Sequence, residues 1–350
     1  MSSHFQAVNW NRQKFIYDGL ALGGVLLFFG VFAAASLLRQ PDITAETVII
    51  RGLGLAAIVL LHLILCIGPI CRLDPRFLPL LYNRRHLGVL MCLLALGHAG
   101  FAIVQFHALG DEPMLLSLLT GTGRVSDLGR FPFELLGLGA LLILWTMAVT
   151  SHDFWLALLS PKVWKALHMM VYIAYLLLLG HVALGALQED RTGGLTPLLA
   201  VGATLVLGLQ LAAGWRERPG DRIREDAAGD WVDVGAVTDH REGRARTAMV
   251  GAERVAVVRH AGGISCVSNV CRHQGGPLGE GRIVDGCLTC PWHGYQYLPD
   301  SGTSPPPFSE KIPTYRVRVV DGRIQVHRTP NPPGTLVPPA AVPGPRGTAA

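Results

Sequence analysis

Six long apolar runs, then an abrupt change of texture, organise this chain. Residues 17–38, 49–71, 86–108, 132–150, 165–187 and 195–214 are nearly free of charge. Each run is about 19–24 residues, enough for a helix rising 1.5 Å per residue to cross a hydrocarbon layer about 30 Å thick. The pattern predicts six transmembrane helices. The first run comes after Arg12 and Lys14 and contains Ala33-Ala34-Ala35-Ser36, which has the look of a signal-cleavage site. Its apolar core is longer than a signal h-region, so an uncleaved span is expected. After Trp215 the period shortens. Ala256-Val257-Val258, Ile283-Val284, Tyr315 to Val319 and Arg323 to Val326 are short alternating runs parted by Gly, Asp and Pro, the pattern of a small antiparallel β domain. The expected organisation is a cytoplasmic segment (1–16), an α-helical membrane bundle (17–215), a charged linker (216–230), an all-β domain (231–328) and a disordered tail (329–350) with seven prolines. No internal repeat is evident.

Composition agrees with this division. Half of the 350 residues are hydrophobic and 16% are charged, few for a soluble protein. The cations sit where a bilayer wants them. Arg72, Arg76, Arg84 and Arg85 fall in one loop, Lys162 and Lys165 at another, and Arg216 and Arg218 after the last span. All three segments lie on one side of a six-span bundle. The opposite side holds Asp111, Glu112, Arg124, Asp127, Arg130 and the Gln188–Arg191 stretch, with little net charge. The positive-inside rule places both termini in the cytoplasm, in a bacterial inner membrane. The same bias accounts for the net charge of +5, and no nucleic-acid partner is implied. Seven cysteines in a reducing compartment imply no disulfide framework; Cys66, Cys71 and Cys92, in or beside spans, read as packing residues.

The β domain carries the sharpest chemical signal. Cys271-x-His273 is joined, after sixteen intervening residues, by Cys290-x-x-His293. Two thiolates and two imidazoles suit zinc or an iron–sulfur cluster. Zinc fingers pair Cys with Cys and His with His, the His on a helix. Here each half gives one Cys and one His from a Gly- and Pro-rich loop, so both Cys can meet one iron and both His another. This arrangement, with Cys290-Pro291-Trp292-His293-Gly294, resembles the Rieske [2Fe–2S] family over about 231–328. The resemblance implies that Cys271 and Cys290 hold the inner iron and His273 and His293 the outer, solvent-facing one. Gly275, Gly276 and Gly294 would allow close backbone approach. Respiratory Rieske proteins carry an extra disulfide where this chain has Gly276 and Trp292, and a Ser where it has Tyr295; Tyr297 is kept. Fewer donors to sulfur imply a lower potential and a ferredoxin-type carrier of single electrons, which does not itself oxidise quinol. Cys266 and Cys287 read as packing residues in strands. Beyond Val326 only a tail is expected, which leaves no room for the mononuclear-iron domain of a Rieske oxygenase. No Gly-rich phosphate fingerprint or flavin-sized domain is evident.

Ionisable residues within spans are functional candidates, and the spans or their edges hold His62, His86, His98, His107, His168 and His181. NRRHLGVLMCLLALGH (83–98) and SPKVWKALHMMVYIAYLLLLGH (160–181) resemble the ferric-reductase-like transmembrane family, over roughly 50–190. That family includes the haem subunit of bacterial methionine sulfoxide reductase systems and the membrane part of NADPH oxidases. The resemblance implies haem b, with His98, His168 and His181 at ligand positions. His98 lies about 20 Å past Arg85 and His181 about 24 Å past Lys165, at similar depth, so the two could clamp one haem. An inner second haem on His86 and His168 is the alternative count. In an ideal helix His168 and His181 stand about 140° apart, which strains the assignment of both. His62 has no obvious partner, His107 reads as interfacial, and His152 lies in a cytoplasmic loop.

A cytoplasmic cluster joined to membrane haem reads as a transmembrane electron-transfer oxidoreductase. A cytoplasmic reductase or quinol would supply electrons; a periplasmic oxidoreductase, ferric iron or oxygen would accept them, with the 109–131 loop as the outer contact. The alternatives are a membrane-anchored Rieske ferredoxin feeding a soluble enzyme, and a redox sensor without turnover.

Overall fold

The computed structural model describes residues 12–81, 83–108, 113–120, 132–159, 161–189, 194–217, 229–292 and 294–342. They fall into two compact units, one within Asn11–Ala212 and one within Ala213–Ala350.

The first unit is helical. Its elements are α1 (Arg12–Arg39), α2 (Ala45–Leu73), α3 (Arg84–Ile103), α4 (Met114–Thr120), α5 (Phe133–Val149), α6 (Asp153–Leu158), α7 (Pro161–Met169), α8 (Val171–Leu184), α9 (Ala186–Glu189) and α10 (Leu195–Glu217). Thr44 caps α2 by accepting from the Thr47 N–H, and His152 caps α6 through the Phe154 N–H. Five helical stretches among the described residues are long and apolar enough to cross a membrane: Lys14–Arg39, Ala45–Leu73, Arg84–Ala108, Val163–Leu184 and Leu195–Arg216. The expected span at 132–150 forms α5, apolar but only 17 residues long. Apolar side chains also cover the outside: Leu27 and Leu38 of α1, Leu93 of α3 and Leu211 of α10 are all exposed. A helix hydrophobic all round needs lipid as its solvent. α2 packs chiefly on α3 and α5 on α8, and their shared core includes Leu61, Met91, Cys92, Ala140, Leu144 and Tyr175. The run expected as a single helix over 165–187 is helical through Val163–Leu184, α7 passing into α8 at Met170, whose backbone stays right-handed helical with φ of −63° and ψ of −11°.

The second unit is all β. Its strands are β1 (Trp231–Ala236), β2 (Ala245–Val250), β3 (Glu253–His260), β4 (Gly263–Ser268), β5 (Arg282–Val284), β6 (Cys287–Thr289), β7 (Gln296–Tyr297), β8 (Thr314–Tyr315), β9 (Val317–Val320) and β10 (Arg323–His327). They pair antiparallel in three sheets, β1-β10-β9, β2-β3-β4-β8 and β5-β6-β7. Asp285-Gly286 and Asp321-Gly322 turn two of the hairpins with φ of 49° and 79°, and 49° and 74°, as two-residue turns with both φ positive require. The expected linker falls mostly on 218–228, outside the described residues.

The tail corrects an expectation. Residues 329–342 are not a free Pro-rich end but a strap along the β unit. Ile264 and Ala340 exchange backbone hydrogen bonds of 2.9 and 2.8 Å, Asn331 N–H donates to the Thr314 carbonyl at 2.8 Å, and Val337 N–H to the Asp300 carbonyl at 2.8 Å. Proline removes donors but leaves the backbone extended. The N–H groups between the prolines find carbonyls on β4, β8 and the turn at Asp300, so the strap borrows a core instead of building one. Residues 343–350 lie outside the described residues. Gly263, with φ of 126°, lies directly against the Ala340 carbonyl. Gly263→Ala is expected to cost about 1–3 kcal/mol, and Gly286→Ala, at φ of 79° with open space around it, less. Thermal unfolding of the full chain, monitored by near-ultraviolet circular dichroism, orders the two.

Candidate functional site

In the β unit two loops repeat one backbone frame. Cys271 N–H donates to the Gly276 carbonyl (2.9 Å) and Gly275 N–H to the Cys271 carbonyl (2.7 Å). Cys290 N–H donates to the Tyr295 carbonyl (2.8 Å) and Gly294 N–H to the Cys290 carbonyl (2.9 Å). Gly275 and Gly294 both have φ of 72°, a left-handed conformation that glycine adopts without strain. Each frame opens on a Cys; the His stands third in the first loop and fourth in the second. His293 itself lies outside the described residues. Among those described, no group of three or more His, Cys, Asp or Glu side chains forms a metal site.

The sulfurs are prepared for a metal. Cys271 and Cys290 are 1% and 3% exposed. Burial raises the Cys271 thiol, but hydrogen bonds from Cys290, the Tyr297 hydroxyl and the backbone N–H groups of His273 and Gln274 outweigh it and hold the pKa below the ordinary thiol value. The Tyr297 hydroxyl accepts the Arg272 N–H at 2.9 Å, leaving its own proton for Cys271 Sγ at 3.5 Å. By contrast burial alone pushes Cys266 up, and burial is also the main cause for Cys287, as expected of neutral packing thiols in β4 and β6. A Cβ on Gly276 would stand 2.7 Å from Cys290 Sγ and 3.2 Å from the Trp292 ring. The two positions that match the disulfide of respiratory Rieske proteins are thus neighbours, with the indole laid over the glycine. The Tyr295 ring lies parallel to His273, centroids 5.3 Å apart, and its hydroxyl donates to the Glu310 carboxylate. Burial, then Glu310, pushes the Tyr295 phenol well up, so it stays protonated as a donor. Sequence reasoning missed Glu310, and Phe308, which packs on Tyr295 at 4.9 Å. They stand in an irregular loop with no spacing to mark them.

In the helical unit His98 of α3 and His181 of α8 face one another, ring centroids 6.3 Å apart and planes at 82°. Their surroundings are alike. His98 Nδ1–H donates to the Ile50 carbonyl at 2.8 Å and His181 Nδ1–H to the Phe133 carbonyl at 2.9 Å, each 48 residues earlier in the chain. A Cβ on Gly54 would stand 2.8 Å from the His98 ring, and one on Gly137 would stand 2.7 Å from the His181 ring. Gly97 and Gly180 meet Leu53 and Leu136 in the same way. Ile50 to Phe133, Gly54 to Gly137, Gly97 to Gly180 and His98 to His181 are all steps of 83 residues. The membrane region therefore does contain an internal repeat, α2-α3 and α5-α8, hidden from the eye because only the residues around the histidines are shared. A carbonyl can only accept, so both imidazoles carry their proton on Nδ1 and keep Nε2 as a lone pair. Two imidazoles bound to one metal through Nε2, at about 2 Å each, hold their ring centres about 6 Å apart. The donor set fits a bis-histidine metal centre.

The other membrane histidines are engaged differently. His86 Nδ1 meets Asp18 Oδ2 at 2.7 Å and Asn83 Nδ2 at 3.1 Å. His168 donates from Nδ1 to the Trp164 carbonyl (3.0 Å), meets Ser151 Oγ through Nε2 (3.2 Å) and stacks on Trp164 at 3.8 Å. Arg85 donates to the Ser151 carbonyl, and Gln210 joins Arg72 to the Tyr172 hydroxyl. The motif residues Arg85, Trp164, His168 and Tyr172 thus take part in polar contacts near one end of the bundle. His107 meets Ser117 of α4 at 3.0 Å; most of the loop around α4, 109–112 and 121–131, lies outside the described residues.

Comparison with known proteins matches both halves. A family model described as Rieske [2Fe-2S] domain covers residues 230–316, and one described as ferric reductase like transmembrane component covers 53–179. The anthranilate 1,2-dioxygenase ferredoxin subunit of Burkholderia cepacia is 31% identical over 108 residues, 30% of this chain and 98% of its own. The ferredoxin component of the alkene monooxygenase system of Xanthobacter autotrophicus is 31% identical over 104 residues, 29% of this chain and 85% of its own. Among solved structures, the complex of reduced oxygenase and oxidized ferredoxin in carbazole 1,9a-dioxygenase matches 29% of this chain and 96% of that one, at 26% identity and a TM-score of 0.27. The chain belongs to the Rieske [2Fe–2S] family, its Rieske domain placed after a ferric-reductase-like transmembrane component, and it is an integral membrane protein of electron transfer.

Proposed function

We propose that this protein relays single electrons between a cytoplasmic Rieske cluster and one haem b in the membrane, outward toward an extracytoplasmic acceptor. The observation that carries the reading is the facing pair His98 and His181, both with Nδ1 tied to a carbonyl, in one chain with the paired Cys loops. Cys271 and Cys290 hold one iron of the cluster and His273 and His293 the other. When bound, the cluster and the haem each take up and release one electron. The chain's part is to fix the donors. Tyr297 O–H and backbone N–H groups stabilise charge on Cys271, and the Ile50 and Phe133 carbonyls hold His98 and His181 in one tautomer. A single haem is favoured over two because His86 and His168 are bound up with Asp18 and Ser151. The cations of the 72–85 and 151–164 segments support cytoplasmic termini in a bacterial inner membrane. The relatives named as ferredoxin components of oxygenase systems support a carrier that works between a separate donor and a separate acceptor; the donor in this reading is a cytoplasmic reductase or quinol, and the acceptor a periplasmic oxidoreductase, ferric iron or oxygen.

His98→Ala and His181→Ala are each expected to abolish the b-type absorbance while the Rieske electron-paramagnetic signal persists; full haem in either variant would show that the pair is misassigned. Tyr297→Phe removes one donor from Cys271 Sγ. It is expected to lower the cluster potential by about 50 mV, the equivalent of roughly 1 kcal/mol for one electron, read in a redox titration of the Rieske signal. In oriented vesicles, reducing only the Rieske side should reduce the haem and then an external acceptor; haem that stays oxidised would favour a sensor without turnover.

A further inference from the structure

A buried polar pair that neither centre uses lies in the core of the helical unit. His62 of α2 and Tyr175 of α8 are 8% and 6% exposed, and their rings meet edge to face with centroids 5.4 Å apart. His62 Nδ1–H donates to the Ile58 carbonyl one turn back, at 2.8 Å. Its Nε2 is therefore a bare lone pair. That Nε2 and the Tyr175 hydroxyl are both buried and have no hydrogen-bond partner among the described residues. An unpaired buried acceptor is costly, and ionisable side chains inside a membrane mark function as a rule. α10 is shaped to admit the ring: a Cβ on Gly202 would stand 2.5 Å from His62 Nε2.

The surroundings are otherwise apolar. Tyr175 is the titratable group that faces His62 from α8. Cys66 lies one turn further along α2, and Cys92 belongs to the same core from α3. α5 contributes Ala140 and Leu144, and α10 contributes Gly202 and Val206. No carboxylate, Lys or Arg acts on His62 among the described residues. Tyr175 stands six residues before His181, about 9 Å along α8.

We infer that His62 Nε2 is the protonation site coupled to reduction of the haem held by His98 and His181, an inference that rests on the haem reading above. For each electron that arrives from the reduced [2Fe–2S] cluster, which is thereby oxidised, Nε2 accepts one proton from the aqueous phase and forms an N–H bond. The resulting imidazolium balances the added negative charge through the low-dielectric core of the helical unit, with the Tyr175 ring edge to face beside it and the Tyr175 hydroxyl itself unpaired among the described residues. Re-oxidation releases the proton. A neutral lone pair in the core is thus a place kept for a proton, and the glycine opposite keeps the ring free to receive it.

The test is an equilibrium redox titration of the b-type absorbance, on the full-length protein in lipid nanodiscs, from about pH 6 to about pH 8.5. In the wild type the midpoint is expected to fall toward about 59 mV for each tenfold drop in proton concentration. In His62→Leu and in His62→Gln it is expected to be flat with pH, with the b-type spectrum and the Rieske signal both retained. A wild type that is flat with intact haem overturns the inference, as does either variant that keeps the slope. Loss of haem only in the His62 variants makes His62 a ligand and overturns it too. A wild type with no b-type spectrum overturns the haem reading itself, and this inference with it.

Discussion

An imidazole can bind a metal through one nitrogen only if something else decides where its proton goes. In the helical unit that decision is made twice, by the carbonyls of Ile50 and Phe133. Each comes from near the start of a helix that packs against the helix bearing the histidine. The close approach of those helices is a consequence: Gly54 and Gly137 are glycines because any side chain there would strike an imidazole. The tautomer thus sets the helix contact, and the helix contact sets the distance between His98 and His181.

The β unit solves the corresponding problem with sulfur. A thiol buried as deeply as Cys271 should hold its proton, as Cys266 does. A ring of N–H and O–H donors reverses that preference. The donors come from three sources, Cys290, Tyr297 and the loop backbone at His273 and Gln274, and left-handed glycines close each loop frame. His273 lies parallel to Tyr295, whose hydroxyl donates to Glu310. The same logic governs the histidine pair and the cysteine loops: hydrogen bonds fix which atoms carry protons and which keep lone pairs.

Much of this was legible in the residues. The apolar runs, the alternating strands, the Asp-Gly turns and the C-x-H and C-x-x-H spacing are local patterns, and local patterns survive in a sequence. The pairing of His98 with His181 could be argued from depth, since both spans have a charged edge from which to count. Three features could not be read. Glu310 acts from a loop without periodicity. The repeat is confined to a few positions scattered through residues that only need to be apolar. Phe308 packs on Tyr295 from the same loop as Glu310, with no spacing to mark it either. The strap failed for another reason: composition reports what a segment cannot do alone, and residues 329–342 are not alone.

That strap also defines where this domain ends in practice. The strand pattern stops at His327 and the family match at residue 316. The backbone groups of Ile264, Asp300 and Thr314, however, have their partners between Asn331 and Ala340. A chain shortened at the last strand would expose an unpaired β edge at Ile264, an open template for another copy. Its first symptom would be self-association in the test tube, arising well away from any iron.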